Sequence, residues 1–258
     1  VYSGATTPSV DLIENVQDMV VSPDGETLVV LGTGDYQILS RDGDGTLIEI
    51  QRSSDTAVGA LFSANGQDLY LIGSFGIWPT TRGVLQLRRA NGVWAQQSLS
   101  SVESNPAMSL PSISSLEYRI TAVESRNGHY LYVGARESGV LVYQRDIHTG
   151  ALNFVQQFMP DTYSFLPSLG MTISFDNTLL RVASFGQTYR VARDVATGIL
   201  SIVDTVPTES GYQGPAGLSE ISENGEWLGV FFNNGRGDVE WRNEDNAIRY
   251  RADSVPLS

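Results

Sequence analysis

Two turn signals recur in the same order along the 258-residue chain, and few architectures accommodate that. The first reads Ser22-Pro23-Asp24-Gly25, Ser63-Ala64-Asn65-Gly66, Ser125-Arg126-Asn127-Gly128, Ser174-Phe175-Asp176-Asn177 and Ser222-Glu223-Asn224-Gly225. The second opens on arginine: Arg41-Asp42-Gly43-Asp44-Gly45, Arg89-Ala90-Asn91-Gly92, Arg145 to Gly150, Arg193 to Gly198 and Arg242 to Asn246. Asn-Gly and Asp-Gly pairs supply the positive φ that tight hairpins require. A Thr-Gly pair closing a longer turn puts glycine at a left-handed position.

Short apolar runs separate the turns, as in Leu28–Leu31, Tyr36–Leu39 and Leu47–Ile50 of the first unit. They are β-branched or aromatic and too short for helices. The sequence therefore predicts five units of four antiparallel strands, at about 10–51, 57–97, 117–158, 168–205 and 216–251. One such unit cannot bury its own faces, so units must stack. The expected fold is all-β, a β-propeller with five recognisable four-stranded blades. A β-sandwich accounts for short strands but not for both turns in every unit. Residues 98–115 hold eight serines with Pro106 and Pro111, and read as an insertion loop or a flap held by Met108 and Leu110.

Composition excludes several functions. With 16 basic residues against 29 acidic ones the net charge is -13. That argues against a phosphate-backbone grip and against polybasic attachment to lipid, so neither nucleic acid nor membrane insertion is expected. There is no cysteine, and all 16 basic residues are arginine. Disulfides, thiolate metal sites and cysteine or lysine nucleophiles are thereby excluded. The lysines that often guard exposed strand edges are missing too. His129 and His148, the only histidines, fall in hairpin turns without zinc-ligand spacing. No nucleophile elbow is present. The start at Val1, with no basic segment leading into an apolar one, reads as a mature product or an excised fragment without a signal peptide.

The third unit carries the most specific pattern: Leu131-Tyr132-Val133-Gly134, Val140-Leu141-Val142-Tyr143, Arg145-Asp146 and Thr149-Gly150-Ala151-Leu152. With the Ser-x-x-Gly turns, this resembles the lactonase-like (YVTN and 6-phosphogluconolactonase-type) β-propeller repeats over nearly the whole chain. The resemblance implies a propeller. Its function is implied either as a sugar lactonase or as an envelope or secreted protein without assigned chemistry. Such propellers generally have seven blades, so a compact five-bladed ring and part of a larger seven-bladed propeller both stand, with the start at Val1 favouring the second. No catalytic motif matches residue by residue, so no catalytic residue is carried over.

In a propeller, the loops entering first strands and those joining second to third strands share a face. The joining loops supply the binding-face candidates Asp35, Phe75, Trp78, Arg82, Arg136, Glu137, Phe185, Gln187, Asn233, Asn234 and Arg236. The entry loops add Glu14, Asp55, Glu117, Asp161, Tyr163 and Tyr212. Phe75 and Trp78, in the long crossing from Gly73 to Gly83, either contact a sugar or protein or cap the blade core. Arg136 and Arg236 either clamp an anion or pair with acids such as Glu137. Asp42-Gly43-Asp44-Gly45 looks like the start of a calcium loop but lacks its later ligands, so a hairpin turn explains it better. No cofactor is expected, with calcium held by Asp35, Glu14 or Glu220 left open. The first functional reading is a non-catalytic module for a protein or glycan partner, or for other segments of the same polypeptide, in an extracytoplasmic (periplasmic, cell-surface or secreted) bacterial protein. The second is a sugar-lactone hydrolase using acidic residues, with or without a divalent metal.

Overall fold

Each pair of turns folds its unit into one sheet. The computed structural model describes residues 13–76, 81–101, 120–135, 139–159, 170–174, 176–184, 187–207, 216–221, 228–232, 238–242 and 248–252. Among the described residues, five four-stranded antiparallel sheets, each built from consecutive strands, are the blades of a β-propeller. Blade 1 comprises β1 (Asp18–Val21), β2 (Thr27–Leu31), β3 (Tyr36–Arg41) and β4 (Leu47–Ser53). Blade 2 comprises β5 (Thr56–Phe62), β6 (Asp68–Phe75), β7 (Thr81–Ala90) and β8 (Val93–Ser101). Blade 3 comprises β9 (Ala122–Glu124), β10 (Tyr130–Ala135), β11 (Gly139–Arg145) and β12 (Leu152–Phe158). Blade 4 comprises β13 (Gly170–Ile173), β14 (Leu179–Ser184), β15 (Gln187–Arg193) and β16 (Leu200–Pro207). Blade 5 comprises β17 (Ala216–Ile221), β18 (Leu228–Phe232), β19 (Asp238–Arg242) and β20 (Ile248–Ala252). Strand β8 runs through Ser101, four residues into the segment read from sequence as a serine-rich loop. Residues 102–119, with Met108 and Leu110, lie outside the described residues.

The chain divides into two compact units, Val1–Ser101 and Val102–Ser258. In the first, the core joins blade 1 to blade 2 through Val29, Leu31 and Ile38 against Leu69, Leu71 and Leu85. In the second, Tyr132, Val140 and Val142 of blade 3 meet Leu180, Val182 and Tyr189 of blade 4. Inner strands are covered on both faces, which is why β2 and β6 read as unbroken apolar runs rather than alternations. Burying each such side chain contributes about 1.5–3 kcal/mol.

The Ser-x-x-Gly element is a hydrogen-bonded clasp. Ser22, Ser63, Ser125 and Ser174 donate through Oγ to Oδ1 of the residue two positions on, at 2.5, 2.7, 2.7 and 2.5 Å. Each hydroxyl also accepts the main-chain N–H five positions on, at 2.9–3.0 Å. The Asx oxygen accepts a further N–H two positions beyond itself, that of Glu26, Gln67, His129 or Thr178. The fourth turn residue has positive φ in every described copy, 73° at Gly25, 67° at Gly66, 73° at Gly128 and 65° at Asn177. Asn177 replaces the usual glycine, tolerates that conformation, and its Oδ1 accepts the Arg126 N–H of blade 3 at 3.1 Å.

Every fourth strand carries a bulge, at an equivalent place in blades 1 to 4 and two residues further along the third strand in blade 5. Leu39 pairs with Glu49 and Ile38 with Gln51, leaving Ile50 extra. By the same count, Gln97, Val155, Val203 and Arg249 are the extra residues of β8, β12, β16 and β20.

Candidate functional site

Within blade 2 the crossing between second and third strands comes back to the strand entry of the same blade. The Gly76 N–H donates to Asp55 Oδ1 at 2.8 Å. The other Asp55 oxygen accepts from Ser53 Oγ, also at 2.8 Å, and the Asp55 N–H returns a bond to that hydroxyl at 3.2 Å. Ser53 ends β4 and is directly opposite Tyr36 across the ladder. The Tyr36 phenol bonds with Ser53 and is pushed above its usual pKa, first by burial and further by the Asp55 charge. Tyr36, Ser53, Asp55 and Gly76 thus form one string that fixes a half-buried carboxylate at the junction of blades 1 and 2. Such a carboxylate can accept hydroxyl protons from a ligand, or give an oxygen to a hard cation.

Blade 1 places Asp35 in the corresponding loop. Its Oδ1 lies 2.4 Å from where a Cβ on Gly32 would be, and the Gly32 N–H donates to the Asp35 carbonyl at 2.9 Å. Only glycine at 32 leaves room for this carboxylate. The exposed Glu14 is on the adjoining entry loop, its carbonyl oxygen 3.3 Å from the same virtual Cβ.

Phe75 is a correction to the binding face. It is 5 % exposed and belongs to the core shared by blades 1 and 2. The physical reason is strand length: β6 runs through Phe75 and β7 starts at Thr81, so the crossing expected from Gly73 to Gly83 is mostly strand. Arg82, paired with Ser74, remains exposed. Gln187 opens β15 opposite Ser184 and Pro207. Glu220 is in strand β17. Trp78, Arg136, Glu137, Phe185, Asn233, Asn234 and Arg236 lie outside the described residues, as do Glu117, Asp161, Tyr163 and Tyr212.

The turn acids are engaged locally. Asp42 Oδ1 accepts the N–H groups of Asp44 and Thr46 at 3.2 and 3.0 Å, and Asp44 Oδ1 accepts that of Thr46 at 2.8 Å. Hydrogen bonding with Asp42 and then Thr46 brings Asp44 down to about 2. Asp146 accepts from the His148 and Thr149 N–H groups, and Asp194 from those of Ala196 and Thr197. Both are held below the usual carboxylate range, chiefly by the threonine N–H. Ser22 and Ser174 do the same for Asp24 and Asp176. Among the described residues no three His, Cys, Asp or Glu side chains converge as a metal site would need.

Sequence reading missed the turn arginines as structural groups. Arg89 Nη1 and Nη2 reach Asp24 and Glu26 of blade 1, both at 3.3 Å. Arg145 is buried beside Glu124 at 3.6 Å and donates to the Gly128 carbonyl at 3.1 Å. Arg193 donates to the Asn177 carbonyl at 2.8 Å and to the Tyr132 hydroxyl. The signal was the recurring arginine at the head of each second turn.

No family model matches the chain, and no curated protein does. Solved structures do. A "putative 6-phosphogluconolactonase" from Bacteroides uniformis is 17 % identical with a TM-score of 0.68, over 92 % of this chain and 71 % of that one. A protein of the same description from Bacteroides fragilis is 11 % identical with a TM-score of 0.66, over 92 % and 70 %. A functionally unknown protein from Desulfotomaculum acetoxidans is 12 % identical with a TM-score of 0.67, over 92 % and 69 %. Likeness at these identities is likeness of fold, and the chain has a β-propeller fold.

Proposed function

We propose that this chain is a non-catalytic binding or scaffold module that presents fixed carboxylates to a protein or glycan partner, within a secreted or cell-envelope bacterial protein. The observation that carries this reading is how the described acids are used. Asp24, Asp44, Asp146, Asp176 and Asp194 all shift downwards, and hydrogen bonds within their own turns cause it. These acids are committed to their own hairpins. Asp55 has both oxygens engaged by Gly76 and Ser53, which suits it to orientation and recognition.

Sugar-lactone hydrolysis is the second reading, favoured by the two structural neighbours described as lactonases. One experiment separates them. The chain is applied to a glycan array and, in parallel, assayed against 6-phosphogluconolactone with and without calcium. Saturable glycan binding weakened by Asp55→Asn, with lactone decay no faster than in buffer, supports the binding module. Turnover abolished by Asp55→Asn or Asp35→Asn overturns it in favour of the hydrolase. Absence of both activities, with binding to an isolated envelope protein that Asp55→Asn weakens, makes the partner a protein.

A further inference from the structure

Three Asn-Gly pairs fall among the described residues: Asn65-Gly66, Asn91-Gly92 and Asn127-Gly128. An Asn-Gly pair can modify itself. The glycine main-chain nitrogen attacks the asparagine side-chain amide carbon and loses its proton. A new N–C bond closes a succinimide, the bond to the side-chain nitrogen breaks, and ammonia leaves. Water then opens the ring at either carbonyl, giving aspartate or isoaspartate. Water is the only co-reactant, and no atom changes oxidation state.

The fold treats the three pairs differently. At Asn65, Oδ1 accepts from Ser63 Oγ at 2.7 Å and from the Gln67 N–H at 3.1 Å. The attacking nitrogen is also engaged, because the Gly66 N–H donates to the Ser63 carbonyl at 2.8 Å. Asn127 repeats this, with Ser125 Oγ at 2.7 Å, the His129 N–H at 3.4 Å, and the Gly128 N–H on the Ser125 carbonyl at 2.8 Å. Cyclisation at either pair breaks the clasp that holds its hairpin.

Asn91 and Gly92 are outside any clasp. They are the two central residues of the tight turn between β7 and β8, flanked by the last ladder pair, Ala90 with Val93. Their φ angles are 53° and 80°, and both residues are exposed. The Asn91 amide makes no hydrogen bond to a described residue, and neither does the Gly92 N–H.

We infer that Asn91-Gly92 is a site of spontaneous succinimide-mediated deamidation in the folded protein, whereas Asn65 and Asn127 are protected by their Ser-x-Asx clasps. The modification adds a negative charge to the hairpin of blade 2. In its isoaspartyl form it also lengthens the main chain inside a two-residue turn, at the one place where β7 and β8 are joined.

Because arginine is the only basic residue besides histidine, trypsin divides the three pairs among separate peptides, 53–82, 90–119 and 127–136. In the second peptide Asn105 precedes Pro106, which has no N–H with which to attack. The folded protein and its urea-unfolded form are incubated at mildly alkaline pH, digested and mapped by mass for amide-to-acid conversion. The expected result is comparable conversion of all three pairs in the unfolded chain. In the folded protein only 90–119 converts readily, with the others roughly tenfold or more slower, as loss of several hydrogen bonds requires. Asn91→Gly, which keeps a residue suited to positive φ, should remove conversion from 90–119. Ser63→Ala should speed conversion of 53–82. Equal or faster conversion at Asn65 or Asn127 in the folded protein, or an Asn91 protected as strongly as they are, overturns the inference.

Discussion

Arg193 of blade 4 is inserted beside Tyr132 of blade 3, its Nε donating to the phenolic oxygen while its guanidinium carbon is 5.8 Å from that ring's centroid and 5.2 Å from the Tyr130 centroid. The arginine is 4 % exposed, and its Nη1 reaches the Asn177 carbonyl. Two blades of the second unit are thus joined by one planar cation. Lysine has neither the fork nor the face to replace it. Arg193→Lys and Arg193→Ala should each lower the stability of that unit, the alanine variant by about 2–4 kcal/mol, as measured by urea denaturation. An unchanged midpoint for both would remove this cation from the account of blade packing.

The alkaline limit of stability should be set by tyrosine. With no lysine and no cysteine, tyrosine is the side chain that titrates between pH about 9 and 12. Burial pushes Tyr132 up to about 12, against the opposing pull of the Arg193 charge. Burial also raises Tyr36 and Tyr143. A raised folded pKa means the stabilisation is complete below the unfolded value near 10 and declines as pH climbs through the folded value. Thermal melts from pH 8 to 12 should fall most steeply above pH 10. Tyr132→Phe should flatten that fall relative to its own value at pH 8, and parallel curves would contradict the assignment.

The acidic side has the opposite sign. Asp24 is lowered first by Ser22, so its contribution is present above the unfolded value of 3.8 and is lost as pH drops through the lower folded one. Ser22→Ala should return the Asp24 titration, followed by carboxyl NMR, towards the ordinary range. At the buried Ser125 the same substitution also strips the acceptor from the Tyr130 N–H, and should cost about 1–3 kcal/mol in chemical denaturation.

Gly25 and Gly198 have nearly the same backbone angle, 73° and 72°, but different surroundings. A Cβ at Gly25 meets nothing within 4 Å, whereas one at Gly198 would sit 2.2 Å from Cδ1 of the buried Tyr130 ring. Alanine at 25 should cost about 1–2 kcal/mol for the left-handed conformation alone. Alanine at 198 should cost roughly 1–3 kcal/mol more for overpacking. The difference between the two melting shifts measures the contact of the blade 4 turn with blade 3.

The blades were readable in the sequence because each turn has a chemical signature of its own. Ser-x-x-Gly places a hydroxyl and an Asx oxygen where two N–H groups need them, and Asn91-Gly92 supplies two positive φ angles without outside help. The destinations of Arg89, Arg145 and Arg193 were not readable. All three head the same turn, yet their partners lie across a blade junction for Arg89 and Arg193 and within the blade for Arg145. Phe75 read as a loop aromatic because glycines at 73, 76 and 83 suggested an open crossing, while two of them stand inside strands. The Tyr36-Ser53-Asp55-Gly76 string joins four positions that no spacing rule connects. The bulges left no mark either, since an extra Ile50, Val155 or Val203 is itself a good strand residue.

Those extra residues bear on how the protein can be handled at high concentration. Ile50, Val155 and Val203 are 40 %, 37 % and 48 % exposed on the last strand of their sheets, where a lysine would ordinarily discourage another chain from pairing. A bulge interrupts the even row of donors and acceptors that a growing fibril must copy. Removing Ile50, Val155 and Val203 together would restore three straight, lysine-free borders, and that shortened chain should form thioflavin-positive fibres under conditions where the parent protein remains dispersed.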